Sequence, residues 1–371
     1  MRLIELSAVS TALSFVIIII LLLTIPGQAQ QNSPTIPNHT WEVYVERDID
    51  PRGVDRLLFI DVLTGETAFA QVFGERYTPL GNRVLFFDPV NQAVMTVATD
   101  GIVEPHPFIQ LENDAHRVDW LVSLDERLIA WTLTFDDPGG LRTLTQIATP
   151  GGAERRQILE DGPRPNRLRL LPVAFSVDNQ ALVMDMHPDG IGRFAPYTQF
   201  AGLFRVDFES GAMEALPNEP ACFCGAAIRA GQFLRLSLTN DLSGFNVNVY
   251  NLEFDTEESI PAMRLANFTQ AGDILISPDG RRAVYALSQI ENFGAQNQSI
   301  ETIFMLVDLD NLTQRRLTSP ITTYVNPVQW TEDNTAILFT SPQLNGTWKI
   351  GLDDEQLSKV AEASYIGRLG D

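Results

Sequence analysis

A tight turn flanked by two apolar runs recurs along this chain, and its clearest copy is Asp273-Ile-Leu-Ile-Ser-Pro-Asp-Gly-Arg-Arg-Ala-Val-Tyr-Ala-Leu287. Pro278 presets φ for the turn and Gly280 takes a positive φ without steric cost, so the flanking runs are expected to fold back as antiparallel strands. Looser copies occupy residues 77–87, 121–131, 175–184 and 330–339, and a worn one occupies 228–236. With the hydroxyl residue as marker, Thr78, Ser123, Ser176, Ser277 and Thr331 fall 45, 53, 101 and 54 residues apart. The long interval is two periods, with Arg229 where a hydroxyl is missing. A second element, a strand, a polar turn and a strand, follows each copy, as at residues 58–69, 145–152, 204–213 and 305–314. From Trp41 onward there is almost no helical periodicity, so the chain reads as all-β.

Each repeat is therefore a four-stranded antiparallel unit, strands A to D, of about 45 to 50 residues, the period of a β-propeller blade that buries its faces only against its neighbours. The ring must close. Seven second hairpins stand against six first motifs, and the surplus one is N-terminal, preceded by a lone strand at residues 41–46. The tail, residues 364–369, can supply the missing innermost strand. Seven blades are expected, with a closing blade shared by the N- and C-terminal strands; six blades, with the N-terminal strands added to the last one, is the alternative.

Ile276-Ser-Pro-Asp-Gly-Arg-Arg-Ala-Val-Tyr285 resembles the repeat of WD40-like (PD40) propellers of the TolB type, which also occurs in the propellers of prolyl oligopeptidases. The likeness is specific in this copy, looser in the others, and spans most of residues 41–369. It implies an exported propeller that holds partners or gates a site, and it carries no catalytic residue onto this chain. No Gly-x-Ser-x-Gly elbow, His-Glu-x-x-His helix or Gly-rich phosphate loop occurs.

Residues 6–25 are uncharged and follow Arg2, and Gly27-Gln28-Ala29 presents small residues of the kind a signal peptidase reads. Residues 1–29 are thus expected to be a signal peptide or an N-terminal membrane anchor, residues 30–40 a polar spacer, and residues 41–371 the propeller. An extracytoplasmic location follows, secreted or held on the outer side of the membrane. The chain carries 26 Lys plus Arg against 47 Asp plus Glu, a net charge of −21. Such a field repels a phosphate backbone and an anionic membrane surface, so no nucleic acid is expected as partner, and membrane contact only through residues 6–25.

Four histidines, His39, His106, His116 and His187, lie too far apart in sequence for a preassembled metal site. In Asp185-Met-His-Pro-Asp-Gly190 carboxylates flank His187, which reads as a turn with solvated acids. Cys222 and Cys224 are two apart, where direct bridging is strained, and read as structural. Acidic clusters at residues 308–311 and 352–355 lack calcium-loop spacing and read as turns. No cofactor or metal is expected.

Loop length carries more. In a propeller the D-to-A and B-to-C connections share one face, and here nearly all long connections are of that kind: residues 105–116, 160–169, 187–201, 217–225 and 289–300. Long loops on a rigid scaffold are where binding concentrates. That face is expected to present His187, Arg193, Phe194, Tyr197 and Phe200 from one loop, Phe293 from another, and Arg164 and Arg167 from a third, aromatics and Arg being the residues of interface centres. Phe194, Tyr197 and Phe200 could instead fold back over the blade edge. Trp120, Trp131 and Trp330 read as inter-blade packing. The expected function is a non-catalytic exported propeller, monomeric, that binds a protein or cell-envelope component through the long-loop face. The alternative is a carbohydrate lyase or hydrolase with its site at the central channel mouth.

Overall fold

The structure, a computed structural model, describes residues 40–49, 52–112, 114–189, 197–217 and 225–370. The expected leader, the spacer up to residue 39, Arg193, Phe194, Cys222 and Cys224 lie outside them. The described residues form seven four-stranded antiparallel sheets, the blades of one propeller. Blades 2 to 7 each take four consecutive strands, and their inner A strands are Glu75–Leu80, Ala115–Val122, Leu168–Phe175, Ala226–Arg229, Gln270–Ile276 and Asn326–Trp330.

Blade 1 is the closing blade. Its inner strand is Ser364–Leu369, paired antiparallel to Trp41–Glu46, with Asp55–Asp61 and Thr67–Val72 outside. The register runs from Trp41 opposite Leu369 to Val45 opposite Ser364, shifting between Val43 and Tyr44. Tyr44 and Tyr365 meet edge to face at 5.4 Å, and Arg368 pairs with Glu42 at 2.9 Å and with Glu332 of blade 7. Seven blades stand, and the six-bladed alternative is set aside.

The core is divided as the ring is. Seven apolar clusters fill the seven blade interfaces, one each. The cluster between blades 5 and 6 is broad, running from Leu234 and Val247 to Tyr285 and Met305. The one between blades 7 and 1 is the smallest, with Tyr44, Ala363 and Tyr365 as its buried members. Trp131 and Trp330 are buried between blades, as the sequence suggests.

The recurring turn has one local cause. Ser277 Oγ donates to Asp279 and accepts the amide of Arg282 at 3.0 Å, while Gly280, at φ +70°, donates its amide to Ser277 O at 2.9 Å. Ser123 with Asp125, Ser176 with Asp178, and Thr331 with Asp333 repeat the hydroxyl-to-carboxylate bond at 2.7, 2.6 and 2.7 Å. These bonds pull Asp125, Asp178 and Asp279 below the usual carboxylate range, and Asp333 to about 2. Thr78 is no such marker: it lies within the inner strand of blade 2, whose turn is at Gly81, and its hydroxyl accepts from Trp120 Nε1 at 3.0 Å. The worn copy at residues 228–236 is a hairpin with Ala230 and Gly231 at positive φ, which needs no hydroxyl.

Candidate functional site

Every A strand enters the ring from the long-loop face, so the first residues of the inner strands frame the channel mouth there. Blades 2, 3 and 4 bring charged side chains to that rim. Arg117 grips the Asp119 carboxylate with two nitrogens, Nε 2.9 Å from Oδ2 and Nη2 3.1 Å from Oδ1. Arg76 of blade 2 reaches the same carboxylate at 3.3 Å, and Arg169 of blade 4 at 2.8 Å. Arg76 also lies over the Trp120 ring at 4.3 Å and the Phe87 ring at 5.2 Å, and donates to Val118 O. Burial pushes the guanidiniums of Arg76 and Arg169 below the ordinary arginine range, with the Asp119 charge opposing it.

An outer tier completes the rim. Arg167 bonds Asp136 at 3.3 Å and Asp189 at 3.2 Å, and His116 Nδ1 lies 3.3 Å from the other Asp136 oxygen. Asp189 Oδ1 stands 3.7 Å from Arg169 Nε, a buried nitrogen with no hydrogen-bond partner among the described residues. Among the described residues no group of three or more His, Cys, Asp or Glu is placed to hold a metal ion.

The far side of the face is arranged differently. Residues 197–202, the described end of blade 4's B-to-C connection, lie on blade 6 and return to blade 4. Tyr197 is 3% exposed, its ring 5.3 Å from that of Tyr324 and its hydroxyl bonded to Ser288, which bonds Thr302 at 2.7 Å. Thr198 donates its amide to Asp273 at 3.0 Å and Gln199 donates to Ala271 O at 3.2 Å. Asp273 occupies an inner-strand bulge at φ +51°, and burial pushes its carboxyl above the usual range while Thr198 and Tyr324 pull it back. Gly272 makes the contact possible, since a Cβ there would meet Tyr197 Cβ at 2.4 Å. The strap then returns through the amides of Ala201 and Gly202, which donate to Asp185 Oδ1 at 3.0 and 2.8 Å.

The residues singled out in the sequence therefore separate. Tyr197 is core, and Phe200 is half-buried against the cluster of Val183, Leu203 and Phe233, so both fold back instead of being presented. His187 is buried with Nδ1 3.0 Å from Asp185 Oδ2, and Asp185 is fully buried, which corrects the reading of a turn with solvated acids. Arg164 ends the outermost strand of blade 3, paired with Asp161 beside it, and stays away from the inner rim. Of these residues that the structure describes, only Arg167 joins the rim cluster, and Phe293 stands 64% exposed on the blade 6 hairpin. Arg76, Arg117, Asp119 and Arg169 were missed by sequence reasoning because three separate blades supply them. The available signal was an Arg near the start of three successive inner strands.

No protein-family model matches the chain, and no curated protein sequence matches it. Solved structures match its fold. A prolyl endopeptidase structure superposes at a TM-score of 0.60 with 11% identity, over 86% of this chain and 50% of that one. The chain thus spans about half the length of that enzyme. Oligogalacturonate lyase from Vibrio parahaemolyticus superposes at 0.52 with 13% identity, covering 88% of this chain and 86% of the lyase. TolB from Acinetobacter baumannii gives 0.45 and 12% over 88% of this chain and 81% of TolB. At such identities the likeness is one of fold alone.

Proposed function

We propose that this chain is an exported, non-catalytic propeller that binds a protein or cell-envelope component with its long-loop face, at the channel mouth framed by blades 2 to 4. The observation that carries this reading is the asymmetry of the face: residues 197–202 are packed into blades 4 and 6, while the rim of blades 2 to 4 offers partly exposed guanidiniums. Arginine stays protonated at any physiological pH, so a rim built on it suits recognition of charge better than proton transfer. A second reading rests on His187, whose Nδ1 faces a buried carboxylate, the arrangement that orients an imidazole base. Under it the chain is an enzyme, as the neighbouring lyase is by its name.

The test is capture from a cell-envelope extract by the full chain, compared with the double variant Arg167→Glu and Phe293→Ser. Both side chains are more than half exposed, and a melting curve matching the parent's is the control that the ring is intact, since Arg167 pairs with Asp136 and Asp189. A partner held by the parent and released by the variant supports the reading. Equal recovery by both counts against this face, and turnover of an envelope glycan that is lost in His187→Asn would favour the enzyme.

A further inference from the structure

The cluster around Asp119 holds one guanidinium that no tie between blades needs. Arg76 on one side and Arg169 on the other fasten blades 2 and 4 to the Asp119 carboxylate of blade 3, which accounts for both. Arg117 fastens nothing: it sits two residues from Asp119 on the same strand, so its bidentate contact joins no two elements. Its side chain is 41% exposed, and its Nη1 has no acceptor among the described residues. Three guanidiniums thus share one carboxylate. Asp189 compensates only in part, being bonded to Arg167 and standing 3.7 Å from Arg169 Nε, which is itself buried and without a hydrogen-bond partner among the described residues. Glu75 acts on Arg76 and Arg117 through space without pairing with either. Burial opposes the charge of Arg117, but the Asp119 carboxylate, with Asp189 and Glu75, holds its guanidinium above the ordinary arginine range, so it stays charged while its Nη1 is left to a further acceptor.

We propose that this cluster is a carboxylate-binding site, in which Arg117 and Arg76 take the acid group of a ligand at the channel mouth while Asp119 is the resident carboxylate that holds the guanidiniums in place. Asp119 shows that the cluster accepts a planar carboxylate through paired N–H donors, the geometry that the arginine fork matches best. The inference rests on the long-loop face being the working one and adds the chemistry it recognises. Uronic acid sugars and acidic peptides both carry that group.

Calorimetric titration of the full chain at fixed ionic strength tests it, with digalacturonate, an N-acetylated glutamyl dipeptide, inorganic phosphate and the methyl ester of digalacturonate as probes. The expected result is saturable binding of one or both carboxylates and none of the ester. Arg117→Gln should weaken it by about tenfold, the scale of one charge-assisted contact. The Arg117→Gln variant should fold, because Asp119 keeps two other cations there. Which carboxylate binds identifies the source of the group. Absence of saturable carboxylate binding, an affinity unmoved by Arg117→Gln, or preference for phosphate would overturn the proposal. Face-dependent capture from the envelope extract without carboxylate binding would leave the binding reading standing and this one fallen.

Discussion

His106 shows how much one buried side chain can set. It is 3% exposed, its ring 4.5 Å from that of Phe108, and its Nδ1 accepts the amide of fully buried Ile109 at 3.0 Å. A ring nitrogen that accepts cannot carry a proton, so the imidazole is held neutral, and burial lowers its pKa to about 4. For a histidine depressed in this way, the unfolded chain takes up the proton first. Stability is complete above the ordinary value near 6.5 and is lost as pH falls toward 4, by up to roughly 3 kcal/mol. His106→Asn, whose side-chain oxygen can accept the same amide, should remove that part of the acid sensitivity. Chemical denaturation at pH 7 and pH 4.5 checks it: the parent should lose clearly more stability between them than the variant. The sequence put His106 among isolated histidines, and nothing in its spacing tells a surface ring from a buried acceptor.

At the scale of one element, the strap of residues 197–202 explains why part of the candidate site was misread. Phe and Tyr in a long polar loop read as a presented surface, yet Tyr197 finds a slot on blade 6 that exists only because Gly272 has no side chain. A sequence reports loop length and composition, while the slot belongs to another blade 75 residues away, the separation of Thr198 and Asp273. Gly272→Ala should expel the strap, since backbone and ring cannot both yield to a 2.4 Å contact. The expected cost is on the order of 2 to 4 kcal/mol, the range for overpacking with loss of a buried aromatic contact. Limited proteolysis should then cut near residue 198 in the variant and not in the parent; equal resistance in both would show that the strap is held by something else. The turns, in contrast, were legible, because Ser277, Asp279 and Gly280 make their bonds within a few residues of one another.

For the whole molecule, blade number and closure were readable because they follow from counting local elements. The rim of Arg76, Arg117, Asp119 and Arg169 was not, because it arises only when three blades stand side by side. Closure also predicts where the ring is weakest. The interface of blades 7 and 1 has the smallest apolar cluster, and Arg368 crosses it to Glu332. Deleting residues 364–371 should leave the Trp41–Glu46 strand with an unpaired edge, lower the melting temperature by ten degrees or more, of the order that a loss of several kcal/mol brings, and promote concentration-dependent association. An unchanged melting curve would mean that the tail is dispensable to the ring. The central claim is that the long-loop face is the working face, and its most direct test is hydrogen exchange on the chain with its captured partner. Protection should appear at residues 75–76, 115–119 and 167–169 and at the blade 6 hairpin around Phe293, with the turn at Ser277 to Gly280 unchanged. Protection confined to the opposite face, at Ser277 to Gly280 and Thr331 to Asn334, would contradict it.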